Sequence, residues 1–230
     1  MTLSKLTATA LLAALALTTS GCVIHVGGHN DNNNDEAQYS SVFGGVNVSQ
    51  NKQVSDISSV NGNITIQDNV TAHDVSTVNG NIEISNHVQV HDLSTVNGDI
   101  QALSYLSVKR DVSTANGNIT LGAHSMVGQD VTTANGDIYL TQTSVSDDIK
   151  TKHGSITLVS GSIVEGDIEF ESLDNGSWFS DKSREHNPPT LTIDGSSDVK
   201  GKIILRQVVV LEIENPALLA KVERRYKGQE

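Results

Sequence analysis

The chain has 230 residues, a formal net charge of −12 and only 3% aromatic residues. Its single cysteine excludes a framework of intrachain disulfides. The excess of acidic over basic residues disfavours nucleic acid and anionic membrane surfaces as partners.

Residues 1–21 have the features of a secretory signal peptide. Lys5 supplies a short positive region, and Ala10 to Leu17 form an apolar run of eight residues, which is too short to span a bilayer. The run ends in Thr19-Ser20-Gly21-Cys22, which resembles the lipobox cut by the bacterial lipoprotein signal peptidase, although that family prefers leucine where Thr19 stands. We expect lipidation at Cys22, with palmitate among the acyl groups. The alternative is an ordinary secreted protein with an unmodified cysteine.

The residue after Cys22 bears on localisation. It is Val23 and not aspartate, which resembles lipoproteins passed on to the outer membrane of Gram-negative bacteria. Residues 27–39 are polar, so residues 22–39 predict a lipidated tether, and no later stretch is long and apolar enough to cross a membrane. The sequence therefore predicts a bacterial envelope lipoprotein whose first partner is the membrane, on either the periplasmic or the surface face.

An internal repeat dominates residues 40–213. Asn-Gly pairs recur at spacings of 18, 18, 19 and 19 residues, and His153-Gly154 continues the series after 18 more. An Asn-Gly pair is also a hairpin signal, so an antiparallel meander or a propeller is the competing fold. A propeller blade needs about 40 residues, whereas 18 or 19 suit one coil of a parallel β-helix. The repeated pairs begin at Asn61, Asn79, Asn97, Asn116 and Asn135.

The period therefore predicts an all-β fold, a single-stranded β-solenoid (parallel β-helix) of about eight coils, with a loop insertion at residues 175–190. Columns of like apolar residues through Ile57 and Ile64 should line the core. We expect each asparagine of the Asn-Gly pairs to turn inward and to bond the asparagines of neighbouring coils as a structural ladder. The glycine should supply the positive φ of a tight corner.

Residues 214–230 predict a capping helix and tail. Asn215 is a good N-cap residue, Pro216 suits the first helical position, and the basic Arg224 and Arg225 suit a helix C-terminus. Such a helix would cover the unpaired strand edges at the end of the solenoid. A helix lying on the membrane surface is the alternative.

A column of aspartates is the first candidate for chemistry. We expect a solvated turn in which each carboxylate accepts a backbone N–H, with loose binding of a divalent cation at Asp92, Asp111 and Asp130 as the sharper alternative. The glycine-aspartate nonapeptide of calcium-binding β-rolls is absent, so neither a tight metal site nor a cofactor is predicted. The histidines are interpreted as turn decoration. The aligned residues are Asp56, Asp74, Asp92, Asp111, Asp130, Asp148 and Asp167.

Two surfaces are candidates for ligand contact. The insertion at residues 175–190 carries Trp178 and Phe179, which could stack on a sugar or a partner, or could fold back over the coil edge as a plug. The second is a Ser/Val strip through Ser58 and Val60, which faces outward if Ile57 faces inward. No catalytic motif is present: the sequence lacks a Gly-x-Ser-x-Gly elbow and a phosphate loop, so no enzymatic activity is expected.

The repeated unit at Val60 to Ile64 and in the next coils, Val/Ala-Asn-Gly-Asn/Asp-Ile, resembles a bacterial family of β-solenoid domains labelled as adhesins, a domain of unknown function. The resemblance covers about residues 40–213 and implies the fold, but it brings no active-site motif. It favours a binding or adhesion module for a glycan, an envelope protein or a second copy of the chain. The alternative is a structural or stress-associated envelope lipoprotein without an external ligand, and a polysaccharide-active enzyme is a distant third.

Overall fold

The computed structural model describes residues 37–172 and 188–226. Within these ranges the chain winds into a parallel β-solenoid of about nine turns with three sheets, which we name A, B and C. The all-β solenoid prediction is thus confirmed, with one turn more than expected. The predicted signal peptide, Cys22, and the pair Trp178 and Phe179 lie outside the described residues.

Each coil contributes one strand to sheets A and B, and the middle coils also contribute a short strand to sheet C. Sheet A contains Ala37–Phe43, Val54–Asn61, Asp74–Asn79, Asp92–Asn97, Val112–Asn116, Val131–Asn135, Ile149–Thr151, Ile168–Phe170, Ile203–Leu205 and Val222–Arg224. Sheet B contains Val46–Val48, Ile64–Ile66, Ile82–Asn86, Ile100–Ser104, Ile119–Leu121, Ile138–Thr141, Ile156–Val159, Thr190–Ile193 and Val210–Ile213. Sheet C contains Gln89–Val90, Ser107–Val108, Met126–Val127, Ser144–Val145, Ile163–Val164 and Asp198–Val199.

The core consists of stacked apolar columns. Strand residues alternate between inside and outside, so like residues of successive coils pair in parallel register, as Ile57 does with Val75 and Ile64 with Ile82. Both predicted columns are buried. Sheet C adds a third column through Val90 and its successors, which are also buried. Because each coil covers the open edge of the previous one, stability grows by stacking of neighbours.

The C-terminal end differs from the predicted helix over 214–230. Asn215 does act as an N-cap, since its Oδ1 accepts a hydrogen bond from the N–H of Ala217 at 3.1 Å. The helix is a 3₁₀ helix that covers only Pro216–Lys221. It gives way to the strand Val222–Arg224, which pairs with Ile203–Leu205. Strand pairing provides partners for backbone groups at the sheet edge, which a longer helix would leave unpaired.

The described ranges contain no helix with the length and apolar character needed to span a bilayer.

Candidate functional site

The corner between sheets A and B carries the Asn-Gly pairs, which we name the Asn-Gly corner. Its asparagines form a side-chain ladder: Nδ2 of Asn79 donates to Oδ1 of Asn61 at 2.9 Å, and Nδ2 of Asn97 to Oδ1 of Asn79 at 2.9 Å. The ladder continues through Asn116 and Asn135 at 2.8 Å per step. All five side chains are exposed, so the predicted inward orientation is wrong.

A buried hydroxyl explains why the asparagines face outward. The inward position next to each corner is held by serine or threonine, as at Thr77, whose Oγ1 donates to the carbonyl of Gly62 at 3.1 Å. Thr95 and Thr114 make the same bond, at 3.1 Å, to Gly80 and Gly98. The glycine carbonyl at each of these corners thus already accepts a hydrogen bond from a buried threonine hydroxyl. The hydroxyl occupies the inner side of the corner, so the asparagine lies on the outer side.

Close approach of stacked corners requires the glycine of each pair, and Gly136 is the one glycine of the Asn-Gly pairs with a positive φ, of 158°. A Cβ on Gly80 would lie 2.2 Å from the carbonyl oxygen of Gly62, and one on Gly98 would lie 2.0 Å from that of Gly80. Neither of these two glycines has a positive φ, so the predicted reason is wrong for them although the residue type is right. Glycine allows the backbones of successive coils to pack in contact.

The residue after each glycine plays a part that the sequence reasoning missed. Oδ1 of Asn63 accepts the backbone N–H of Asn81 at 2.9 Å, and Oδ1 of Asn81 accepts that of Asp99 at 2.9 Å. Only a side-chain oxygen is needed, which explains why Asn and Asp interchange at this position in the repeat. The Asn-Gly corner is therefore a hydrogen-bonded structural element.

The aspartate column lies at the corner between sheets C and A and follows the same principle. Oδ1 of Asp92 accepts the N–H of Asp111 at 3.1 Å, and Oδ1 of Asp111 accepts that of Asp130 at 3.0 Å. Asp130 and Asp148 continue the series at 3.0 and 2.8 Å. These carboxylates form the hydrogen-bonded turns that the sequence reasoning favoured.

Basic side chains lie among these carboxylates. Nζ of Lys150 is 3.2 Å from Asp130 and 2.8 Å from Asp148, and Arg110 contacts both Asp74 and Asp92. Burial lowers the pKa of Lys150, but hydrogen bonds to the two aspartates outweigh it and raise the pKa to about 12. Asp130, Asp147 and Asp148 have carboxylate oxygens within 4.8 Å of one another, and the Lys150 ammonium binds two of the three.

The corner between sheets B and C, which we name the ring corner, has a different character. One residue in each coil has a left-handed backbone there, with φ of 58° at Asn69, 57° at His87, 56° at Tyr105 and 60° at His124. The His87 and Tyr105 rings stack with centroids 4.5 Å apart, and the Tyr105 and His124 rings stack at 4.7 Å. All three side chains are exposed, Tyr105 by 47%. Interpretation of the histidines as separate turn residues missed this column, although their shared spacing with Asn69 was visible in the sequence.

A shallow open depression of about 260 Å³ lies next to His124, and we name it the slot. Its walls include Met126 and Ile163, which are 58% and 36% exposed, and Ser144 lies between them on the outer side of sheet C. Gln142 also lines it, with an exposed side chain. No carboxylate, ammonium or guanidinium group lines the slot among the described residues.

The Ser/Val strip on sheet A faces outward, as expected if Ile57 faces inward. Ile57 and Ser59 are buried, and Ser58 and Val60 lie on the outer side with half-buried side chains. The strip becomes charged beyond Thr132, because Lys150 takes the next position in register and Glu169 the one after it. It therefore covers only the N-terminal coils.

Comparison with known proteins gives one family. No curated protein and no solved structure matches the chain. The family model described as Toastrack DUF4097 matches residues 35–198, which is more than half of the chain and most of the solenoid. This protein, a β-solenoid, therefore belongs to the Toastrack DUF4097 family, a domain of unknown function.

Proposed function

We propose that this protein is a binding module of the bacterial envelope, held to the outer membrane by lipid on Cys22, which presents a ligand-contact surface on a rigid solenoid. The ligand is a glycan or an envelope protein, and the protein is not an enzyme. The single observation that supports this proposal is the ring column of His87, Tyr105 and His124. Its three rings stack on one another and are exposed, and each stands on a left-handed backbone.

The backbone conformation at the ring corner makes Tyr105 an unfavourable choice for stability alone, and it gives His87 and His124 no advantage over asparagine. A left-handed conformation costs a residue other than glycine about 1 to 2 kcal/mol, and asparagine, aspartate and histidine tolerate it better than tyrosine. The fold uses asparagine at Asn51 and Asn69, where Nδ2 of Asn69 donates to Oδ1 of Asn51 at 3.2 Å. Three successive coils carry rings instead, so the fold did not require rings there.

Stacking of the rings offsets part of this cost, since an aromatic pair contributes about 0.5 to 1.5 kcal/mol. The three rings nevertheless stay exposed to solvent. Strained residues and exposed aromatic side chains on a rigid scaffold are both typical of ligand-contact surfaces. The ring corner therefore has the properties of a binding surface, in contrast to the Asn-Gly corner.

The scaffold supports such a role because hydrogen bonds between coils fix the position of each ring. The N–H of His87 donates to the carbonyl of Ser104 at 3.2 Å, and the N–H of Tyr105 donates to that of Ala123 at 2.9 Å. A pre-ordered surface loses little conformational entropy when it binds. The aspartate column supports the view that the protein is not an enzyme, because one oxygen of each bonded carboxylate already accepts a backbone N–H.

The proposal is tested on arrays of glycans and envelope proteins with the triple variant His87→Asn, Tyr105→Asn, His124→Asn. These asparagines match Asn51 and Asn69, so the melting temperature should change little while saturable binding falls by about tenfold or more. A matched control places asparagine on the outer side of sheet B at Thr65, Gln101 and Thr120, which belong to none of the candidate surfaces, and its binding should equal that of wild type. Binding that persists in the ring variant would contradict the proposed surface. No binding by wild type, together with an envelope-permeability defect in a deletion strain, would favour a structural lipoprotein.

Separate experiments address the predicted residues outside the described ranges. Cys22→Ser should abolish incorporation of a fatty-acid analogue and release the protein in soluble form, and label retained in the variant would refute lipidation at Cys22. Trp178→Ala with Phe179→Ala should lower array binding if the insertion adds to the contact surface. Unchanged binding would assign ligand contact to the ring corner alone.

A further inference from the structure

We propose that the slot beside His124 binds one pyranose ring of a neutral glycan. This inference rests on the proposed function and names its ligand class and its contact point. The slot is a gap in the outer column of sheet C, and its dimensions, lining and charge point to the same ligand.

The gap arises from the order of large and small side chains in that column. Ser107, Met126, Ser144 and Ile163 pair in register on successive coils. Parallel strands lie about 4.8 Å apart, so the backbones that carry Met126 and Ile163 are about 9.6 Å apart with the small Ser144 between them. A ring that touches walls on both faces needs about 8 Å between those walls. The slot therefore has the width for one saturated sugar ring.

The lining combines apolar walls with polar groups on one side. Met126 and Ile163 can contact the C–H faces of a sugar, and the imidazole of His124 borders the same space. The Gln142 amide and the Ser144 hydroxyl supply both donors and acceptors for sugar hydroxyls. Apolar walls with a few converging polar groups are typical of small-ligand sites.

Charge selects among ligands of this size. The chain carries a net charge of −12, yet none of the residues that line the slot is acidic or basic apart from His124. A carboxylated or sulfated sugar would meet no cationic partner there, and a cationic ligand would meet no carboxylate. A neutral sugar has hydroxyl groups that the lining can bond without an unpaired charge.

Backbone geometry holds the far side of the slot open. Gly161 lines the slot without a side chain, and both Ser160 and Gly161 have positive φ, of 61° and 82°. Asp194 fixes this turn, because its Oδ2 accepts the N–H of Ser160 at 2.7 Å. Hydrogen bonds from Ser197, Ser160 and Ser196 outweigh the effect of burial and lower the pKa of Asp194 to about 2, so it remains an acceptor at neutral pH.

The column itself supplies substitutions that the fold already accepts. Ser144→Met introduces the side chain found one coil earlier and fills the slot. Met126→Ser with Ile163→Ser introduces the side chain found at Ser107 and Ser144, and it removes both walls. Ser107→Met is the matched control, because it makes the same change in the same column at a residue that does not line the slot.

The test measures binding of the mature chain to maltotriose, cellotriose, mannotriose and chitotriose by saturation-transfer NMR and titration, with trigalacturonate as the acidic comparison. We expect at least one neutral trisaccharide to bind in saturable fashion. Its affinity should fall by about tenfold or more in Ser144→Met and in Met126→Ser with Ile163→Ser, and should be unchanged in Ser107→Met. Melting curves of all four proteins establish that each is folded.

Each outcome decides the inference. Neutral-sugar binding that Ser144→Met leaves unchanged would overturn it, as would a preference for trigalacturonate. Protein binding on the arrays that depends on the ring column, with no binding of the neutral trisaccharides, would also overturn it and would leave the proposed function standing. Wild-type protein that binds neither sugars nor envelope proteins would overturn both.

Discussion

The Asn-Gly corner and the ring corner are built by the same coils, yet they use side chains in opposite ways. At the Asn-Gly corner the side chains serve the backbone: Asn79 bonds Asn61, Thr77 bonds the carbonyl of Gly62, and Asn63 accepts the next coil's N–H. At the ring corner the backbone holds side chains in solvent, as for Tyr105. The residue type repeats from coil to coil at the Asn-Gly corner, and it varies from coil to coil at the ring corner.

This contrast separates structural from functional positions within one repeat. At the Asn-Gly corner a change of residue type removes a contact with the coil above or below, so a repeated residue there indicates packing. At the ring corner a left-handed backbone admits Asn69, His87 and Gln142 alike, so the side chain is free to serve a ligand. Mutations at the two corners should therefore differ in size and in kind.

The largest expected effect is that of Gly98→Ala. The new Cβ would lie 2.0 Å from the carbonyl oxygen of Gly80 and 2.5 Å from its carbon, and both are backbone atoms that cannot move aside. We expect the free energy of unfolding to fall by about 3 kcal/mol or more, measured by chemical denaturation. Gly195→Ala is the control, because its Cβ would meet only the flexible Glu214 side chain, at 3.1 Å. An equal loss in both variants would contradict a role for close corner packing.

Loss of the buried hydroxyl should have the next largest effect. Thr114→Val keeps the shape of the side chain but removes the hydrogen bond to the carbonyl of Gly98, and we expect a loss of about 1 to 2 kcal/mol. The next coils offer a matched control. The Oγ1 of Thr151 is buried and has no hydrogen-bond partner among the described residues, so Thr151→Val should be neutral or stabilising. A similar loss in the two variants would show that the cost comes from packing and not from the hydrogen bond.

Removal of one step of the ladder should cost less. Asn97→Ala breaks the bonds to Asn79 and Asn116, but the side chain is exposed and water can replace the lost partners. We expect a loss of about 0.5 to 1 kcal/mol in thermal or chemical unfolding, below the cost of a buried unpaired amide. A loss above about 2 kcal/mol would indicate that neighbouring ladder steps strengthen one another.

Much of the fold could be predicted because its period, its apolar columns and its low proline content all appear in the sequence. Which side of the coil a residue faces could not be read as well. The repeat predicts that the asparagines bond one another, which they do, but it does not tell on which side of the coil. The contact between Thr77 and the carbonyl of Gly62 shows that the inner side of the corner is already occupied. The slot could not be predicted, because it depends on the register that places Ser144 between Met126 and Ile163.

The smallest expected effect is that of calcium on the aspartate column, which shares the backbone-serving character of the Asn-Gly corner. Oδ1 of each bonded aspartate already accepts an N–H, and Lys150 lies between Asp130 and Asp148. Millimolar calcium and sodium at matched ionic strength should therefore raise the melting temperature alike. A calcium-specific rise above about 10 °C would instead show a site whose stabilisation grows by mass action.

Lys150→Met sharpens this test, because it removes the ammonium that binds Asp130 and Asp148. These two carboxylates and that of Asp147 have oxygens within 4.8 Å of one another. We expect a loss of about 1 kcal/mol or less at neutral pH, because these groups are partly exposed. The loss should be complete below pH 10.5, the ordinary lysine pKa. It should decrease above that pH and disappear as the pH rises through about 12, the raised pKa of Lys150. The loss should also shrink in acid. Burial raises the pKa of Asp148, but hydrogen bonds with Lys150 and Asp167 outweigh burial and lower the pKa below its ordinary value, so the stabilisation disappears when acid protonates the carboxylate.

A calcium-specific rise in melting temperature should appear only in the variant, since the three carboxylates would then lack the ammonium. The same rise in wild type would show that calcium displaces Lys150 and that the column is a cation site.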